Sequence, residues 1–215
     1  LPPLDMGSRE PCVIAIDAAT YNDCFAVVVA TRHPAHADKA AIRLVKLWRP
    51  SEENTGVIDL NDPDRYVRWL CQGGCPNGHP RSKPMHNARD MFGNPLEDCP
   101  SCVEGDWSVP PLNVMEVAYD PYQMDAMAQD MVRDGIWGMD AFDQGTERLI
   151  ADSNLYKLAM RLEVFHNGSP ALREHIGNCK AKLQKDEESR MRIIKKGPAF
   201  KVDAAVAASM AVKRI

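Results

Sequence analysis

The chain has 215 residues, 45% of them hydrophobic and 26% charged, an ordinary globular composition long enough to bury one substantial core. A formal net charge of −4 argues against a uniformly basic nucleic-acid coat, although carboxylates neutralised by metal ions keep phosphate chemistry open. No apolar run approaches the roughly 20 residues that span a bilayer, and LPPLDMGSREP lacks the sections of a secretory signal, so a soluble intracellular protein without a membrane partner is expected. The absence of an initial Met and the Pro-rich opening point to a fragment of a longer polypeptide.

Three β-rich runs come first, Cys12–Ala18, Cys24–Thr31 and Ile42–Trp48, separated by turn-forming stretches, and they predict an antiparallel meander. NDPDRYVRWL predicts a short helix starting around Asp62 and Pro63. From 71 to 111 the chain is rich in Gly, Pro, Asn and Cys with almost no apolar periodicity, so it reads as an insertion that needs its own stabiliser. A fourth strand is expected over Asn113–Tyr119, a helix over Pro121–Arg133 ending at Gly135, and a short fifth strand within Trp137–Phe142. A longer helix follows from about Thr146 to Val164, with Leu149, Ile150, Ser153, Tyr156, Leu158 and Leu162 as inner positions. Ser169 and Pro170 open another helix running through Lys185, and Phe200–Ile215 is Ala-rich and helical. A meander followed by β-α alternation predicts an α/β fold, a mixed five-stranded sheet with helices on both faces.

Three aspartates stand in unusual places. Asp17 ends the apolar run VIAI, and Asp120 follows VMEVAY at the end of the fourth strand. Asp203 opens the last helix on the face of Val206, Ala207 and Met210. Each alone fits a cap or turn. Together, without compensating bases, they would raise one another's pKa unless a hard divalent cation lay between them. Two Mg²⁺ or Mn²⁺ ions about 4 Å apart are the arrangement that activates water and stabilises the leaving oxygen of a phosphodiester.

Seven cysteines without a secretory signal do not favour a disulfide framework. Cys12, Cys24 and Cys179 are scattered and read as small buried hydrophobes. Cys71 and Cys75 in CQGGC, with Cys99 and Cys102 in CPSC, have spacing that can close a structural Zn²⁺ site. His79 and His86 are alternative ligands, so Cys75, His79, Cys99 and Cys102 form a competing set, and a flexible loop with reduced thiols is the remaining alternative. Basic residues between Lys180 and Lys201, among them Lys195, Lys196 and Lys201, offer a surface for DNA phosphates or a merely solvated face.

AIDAA, AYDPYQ and KVDAAVAASMA, in this order, resemble the three acidic motifs of the nuclease domain of tailed-bacteriophage terminase large subunits, of the ribonuclease H-like and integrase superfamily. FDQGTERL and VFHNGSPALREHIGNCKAK are similar to that family as well, and the resemblance covers nearly everything outside the insertion. It implies one ribonuclease H-like nuclease domain over 1–215, with 71–111 inserted in it. It further implies metal-dependent endonucleolytic cutting of concatemeric viral double-stranded DNA during packaging, with Asp17, Asp120 and Asp203 as catalytic metal ligands. Asp23 stands where many relatives carry another acid, and is either a further ligand or the turn residue of YND. Gln144, His166, His175 and Asn178 fall in similar segments without a readable chemistry; His175 and Asn178 share a helix face as a structural polar pair or a DNA contact. The ATPase motor domain, small terminase subunit and portal are the implied partners, and the host cytoplasm at the procapsid portal the implied location. No G-x-x-x-x-G-K-[ST] occurs, so this chain is not expected to hydrolyse ATP. Two other readings are a Holliday-junction resolvase or transposase-like nuclease and a non-catalytic zinc-stapled interaction module.

Overall fold

The computed structural model describes residues 1–19, 21–50, 56–90, 93–184 and 190–215. β1 (Cys12–Asp17), β2 (Phe25–His33) and β3 (His36–Trp48) form the expected antiparallel meander. After α1 (Asn61–Gln72) and the insertion, which contains α2 (Pro100–Glu104), the chain returns as β4 (Val114–Tyr119) parallel to β1. There follow α3 (Pro121–Arg133), β5 (Met139–Ala141), α4 (Thr146–Met160), β6 (Val164–His166), α5 (Pro170–Gly177), the hairpin β7 (Cys179–Leu183) with β8 (Met191–Lys195), and α6 (Asp203–Arg214). Among the described residues the main sheet has six strands in the order β5-β4-β1-β2-β3-β6. This is a ribonuclease H-like mixed sheet covered on both faces, and none of the described helices is long and apolar enough to cross a membrane.

Strand alternation divides the core. Ile14, Ile16, Phe25, Val27 and Val29 pack with α1 and α3 on one face. Ala15, Ala26, Val28, Ala30 and Ala118 meet α6 on the other, through Ala204, Ala207, Ala208 and Ala211. Small side chains on both partners let α6 lie close against β1 and β2, and this fixes where its first residue, Asp203, stands relative to the strand ends.

Three predicted elements differ. The sheet gains a sixth strand because the helix expected to reach Val164 ends at Met160, and Leu162 turns the chain with φ 58° so that β6 pairs parallel with β3. The inner face of α4 is Arg148, Ala151, Asp152, Ser153 and Leu155, whereas Ile150, Tyr156 and Leu162 are exposed. Apolar periodicity fails there because the buried stripe carries an ion pair, Arg148 Nε to Asp152 Oδ1 at 2.9 Å, which periodicity counts as outward-facing. The helix expected through Lys185 stops at Gly177, and Cys179–Leu183 is strand; Lys185 itself lies outside the described residues. Its exposed lysines face solvent from a hairpin instead of a helix.

Candidate metal centre

β1 and β4 are neighbours with Ile16 opposite Tyr119, so Asp17 and Asp120 emerge side by side at the carboxyl ends of two parallel strands. The Asp120 backbone N–H donates to the Ile16 carbonyl at 3.3 Å, and its Oδ1 accepts from the Tyr122 N–H at 3.0 Å, capping α3 ahead of Pro121. Cap and site are therefore one residue. Asp17, two positions after Ala15, points to the α6 face, where Asp203 begins that helix. Asn22 takes φ 57° in the turn after β1, and Asp23 follows it.

At this end of the sheet the carboxylates act on one another's charge. Burial, then the Asp203 carboxylate, pushes Asp17 well above the usual carboxylate range; the Arg148 guanidinium opposes them, and Asp120 and Asp23 add to the rise. Burial followed by Asp23 lifts Asp203 to about 6, against the pull of Lys195 and the Cys24 amide. Asp203 Oδ2 is buried with no hydrogen-bond partner among the described residues. Asp23 carries the local counter-charges, ion-paired with Lys195 and, at 3.4 Å, with Lys201. Carboxylates whose charges act on one another, one of them with a buried oxygen that has no hydrogen bond, suit a hard divalent cation such as Mg²⁺ or Mn²⁺, although among the described residues the Asp17, Asp120 and Asp203 oxygens do not form a group within 4.8 Å.

Of two further neighbours, Arg148 went unread in the sequence and His175 was singled out without a readable chemistry. Arg148 sits buried beside Asp17, fixed by Asp152 and by Gln144 Oε1 at 2.9 Å; only the Arg148–Asp152 spacing of four hinted at it. His175 is fully buried, and its Nδ1 accepts the Ala204 N–H at 3.0 Å. Cys24, His175 and Asp203 bring ligand atoms within 4.8 Å of one another, but the His175 nitrogen is already engaged by that amide. Asn178, the C-cap of α5, donates from Nδ2 to the Lys201 carbonyl at 3.0 Å, so both members of that pair tie α5 to the segment around Asp203. Lys195 and Lys201 stand at the acidic site. Lys196 does not: its ammonium donates to the Gly177 carbonyl.

A second donor group lies in the insertion. Cys75, His79, Cys99 and Cys102 converge. Cys71 does not join them, because it sits on the last turn of α1 facing the main core beside Cys12, where burial pushes its thiol up to about 12. His86 is engaged elsewhere, its Nδ1 3.3 Å from Asp98.

The family model for the terminase large subunit, endonuclease domain, matches residues 98–215, more than half of the chain. The large terminase of bacteriophage HK97 is similar over 99% of this chain at 16% identity and a TM-score of 0.64, and the chain spans 41% of that protein's length. The large terminase nuclease from thermophilic phage G20c, solved with bound magnesium, is similar over all of this chain and 93% of its own, at 12% identity and a TM-score of 0.55. No curated protein is a significant sequence match.

Proposed function

This chain belongs to the family of terminase large-subunit endonuclease domains, and on that premise we propose that it cuts viral double-stranded DNA during genome packaging. What supports the reading is that Asp17 and Asp120 end the neighbouring parallel strands β1 and β4 while Asp203 opens α6 on the face of β1, with Asp23 close enough in charge that each of the other three raises the proton affinity of Asp17. Asp17, Asp120 and Asp203 are the residues to hold Mg²⁺ or Mn²⁺, with Asp23 as a further oxygen donor. The magnesium in the G20c relative supports that choice of ion. Such a cation supplies charge stabilisation to the reacting phosphate and lowers the pKa of bound water. The chain's own groups do the rest. Asp120 is fixed by its cap, Asp203 by the packing of α6, and the Arg148 charge favours ionised Asp17. Lys195 and Lys201 are placed to meet phosphate oxygens once released from Asp23. One domain over 1–215 acts as the nuclease, with 71–111 inserted and carrying a Zn²⁺. The ATPase motor, small subunit and portal would hold DNA against it at the procapsid portal in the host cytoplasm.

Plasmid DNA incubated with the protein and Mn²⁺ or Mg²⁺ should be nicked and linearised with little sequence preference, since no base-reading element is apparent among the described residues. EDTA should stop the reaction, and Asp120→Asn and Asp203→Asn should each reduce it by at least about 100-fold, because an amide keeps the shape but loses the charge. Undiminished cutting by both variants would remove these carboxylates from the mechanism.

A further inference from the structure

The insertion presents a donor set of a different kind from the acidic pocket. Cys75 Sγ lies 3.7 Å from Cys102 Sγ and 3.5 Å from His79 Nδ1, and Cys102 Sγ lies 3.6 Å from the same nitrogen. All four ligand atoms, Cys99 Sγ included, fall within 4.8 Å of one another. A tetrahedral ion with Zn–S bonds of about 2.3 Å and a Zn–N bond of about 2.0–2.1 Å has S···S edges of about 3.8 Å and S···N edges of about 3.6 Å. The measured separations are those edges. Hydrogen bonding alone does not bring three thiols and an imidazole to a common centre.

The surroundings are built for the same purpose. Cys75 begins a turn in which its N–H donates to the His79 carbonyl at 2.9 Å, and the Gly78 N–H donates back to Cys75 at 3.1 Å. Gly74 permits the close approach: a Cβ there would stand 2.1 Å from the His79 carbonyl oxygen. On the opposite side Cys99 precedes Pro100, and α2 lifts Cys102 back to the centre. Asn77 Nδ2 donates to Cys99 Sγ at 3.2 Å, the contact that stabilises a thiolate next to a metal. The apolar core of this region is only Cys75, Cys99 and Cys102 with Met85 and Trp107 beside them, far too little to order some forty residues by burial.

We infer that Cys75, His79, Cys99 and Cys102 form a closed structural Zn²⁺ site that folds the insertion into a clamp on α1. The clamp's contacts flank the metal: Trp69 Nε1 donates to the Cys75 carbonyl at 3.1 Å, Ser82 Oγ to Gln72 Oε1 at 2.6 Å, and Lys83 pairs with the buried Asp64 at 2.6 Å. Four protein ligands leave no open position, so the site holds structure and does no chemistry. The inference deepens the zinc reading of the insertion and is independent of the nuclease reading, because its tests measure metal and not cleavage.

Protein purified without chelator should contain about one zinc per chain by elemental analysis. Cys99→Ser and Cys102→Ser should lose it, and Cys71→Ser should keep it in full. His79→Cys should also keep it, and after Co²⁺ exchange should show stronger thiolate charge-transfer absorption than the parent's three-sulfur, one-nitrogen spectrum. Should Cys99→Ser or Cys102→Ser fail to fold, the His79→Cys and Cys71→Ser proteins still decide the ligand set. Absence of zinc in the parent, or loss of zinc in Cys71→Ser with retention in Cys75→Ser, would overturn the assignment.

Discussion

His175 acts on the site by accepting one backbone amide, with its Nδ1 also 3.9 Å from Asp203 Oδ2. α6 has no side-chain cap of its own at Val202, and the His175 imidazole, reaching across from α5, accepts the Ala204 N–H in its place. Burial holds this imidazole below its ordinary pKa, so the ring stays neutral and Nδ1 stays an acceptor. His175→Ala should cost about 1–3 kcal/mol in urea denaturation through the unpaired amide, and should weaken Mn²⁺ binding measured by calorimetry because Asp203 starts the freed turn. His175→Asn places an oxygen where Nδ1 was and should restore much of the metal affinity; equal affinity in all three proteins would make the contact structural only. Asp203 itself sets a pH dependence. Its pKa rises from 3.8 to about 6 on folding, so between these values the folded chain keeps a proton that the unfolded chain has released. Stability of the metal-free protein should therefore fall as pH rises through that window, by on the order of 3 kcal/mol from this group, with Asp17 adding in the same direction. Mn²⁺ should flatten the slope by taking the proton's place. Urea melts across the window, with and without Mn²⁺, check it, and metal-free stability that climbs with pH would contradict it.

Elements are joined at this site by buried polar groups where apolar ones would be expected. Fully buried Asp152 on α4 accepts from Arg148 Nε at 2.9 Å, from the Ile193 N–H of β8 at 2.9 Å and from Ser209 Oγ of α6 at 2.7 Å. Next to it Ser153 Oγ accepts the Met191 N–H at 2.9 Å. One turn of α4 thereby fixes the helix carrying Asp203 and the strand carrying Lys195. Asp152→Ala should destabilise the fold by about 3–5 kcal/mol, since it leaves a buried guanidinium without its carboxylate; a thermal or urea melt shifted by under about 1 kcal/mol would show that the network is dispensable. The same chemistry limited what could be read beforehand. Strands ending in Asp17 and Asp120 were legible because apolar runs terminated by an acid leave a plain mark. α4 concealed its inner face because charges that neutralise each other inside look, residue by residue, like charges meant for water. β7 was read as the end of a helix because lysines at exposed positions are compatible with either state.

Across the whole molecule, the sequence made the sheet's middle strands and the three acids of the motifs legible, whereas what depended on distant partners was not. The edge strand β6 owes its conformation to pairing with β3, more than a hundred residues earlier. Cysteine spacing announced a metal site but put Cys71 ahead of His79, and the direction in which α1 delivers Cys71 to the core reverses that order. Lys195 and Lys201, drawn in the sequence as part of a phosphate-facing surface, spend their charge on Asp23. Cation and DNA thus engage opposite ends of one ion pair: a divalent ion on Asp23 would free the Lys195 ammonium, Lys201 being held by the Asn22 carbonyl as well, and a phosphate on Lys195 would bare a carboxylate for the ion. Each ligand prepares the other's seat, and linkage makes the help reciprocal. Ca²⁺, which occupies oxygen sites without promoting cleavage efficiently, should tighten DNA binding in fluorescence anisotropy by about 5-fold or more, and Asp23→Asn, with Lys195 released beforehand, should bind DNA tightly with or without it. On that reading the domain would work as an ion exchanger, switched on when both halves of the salt arrive.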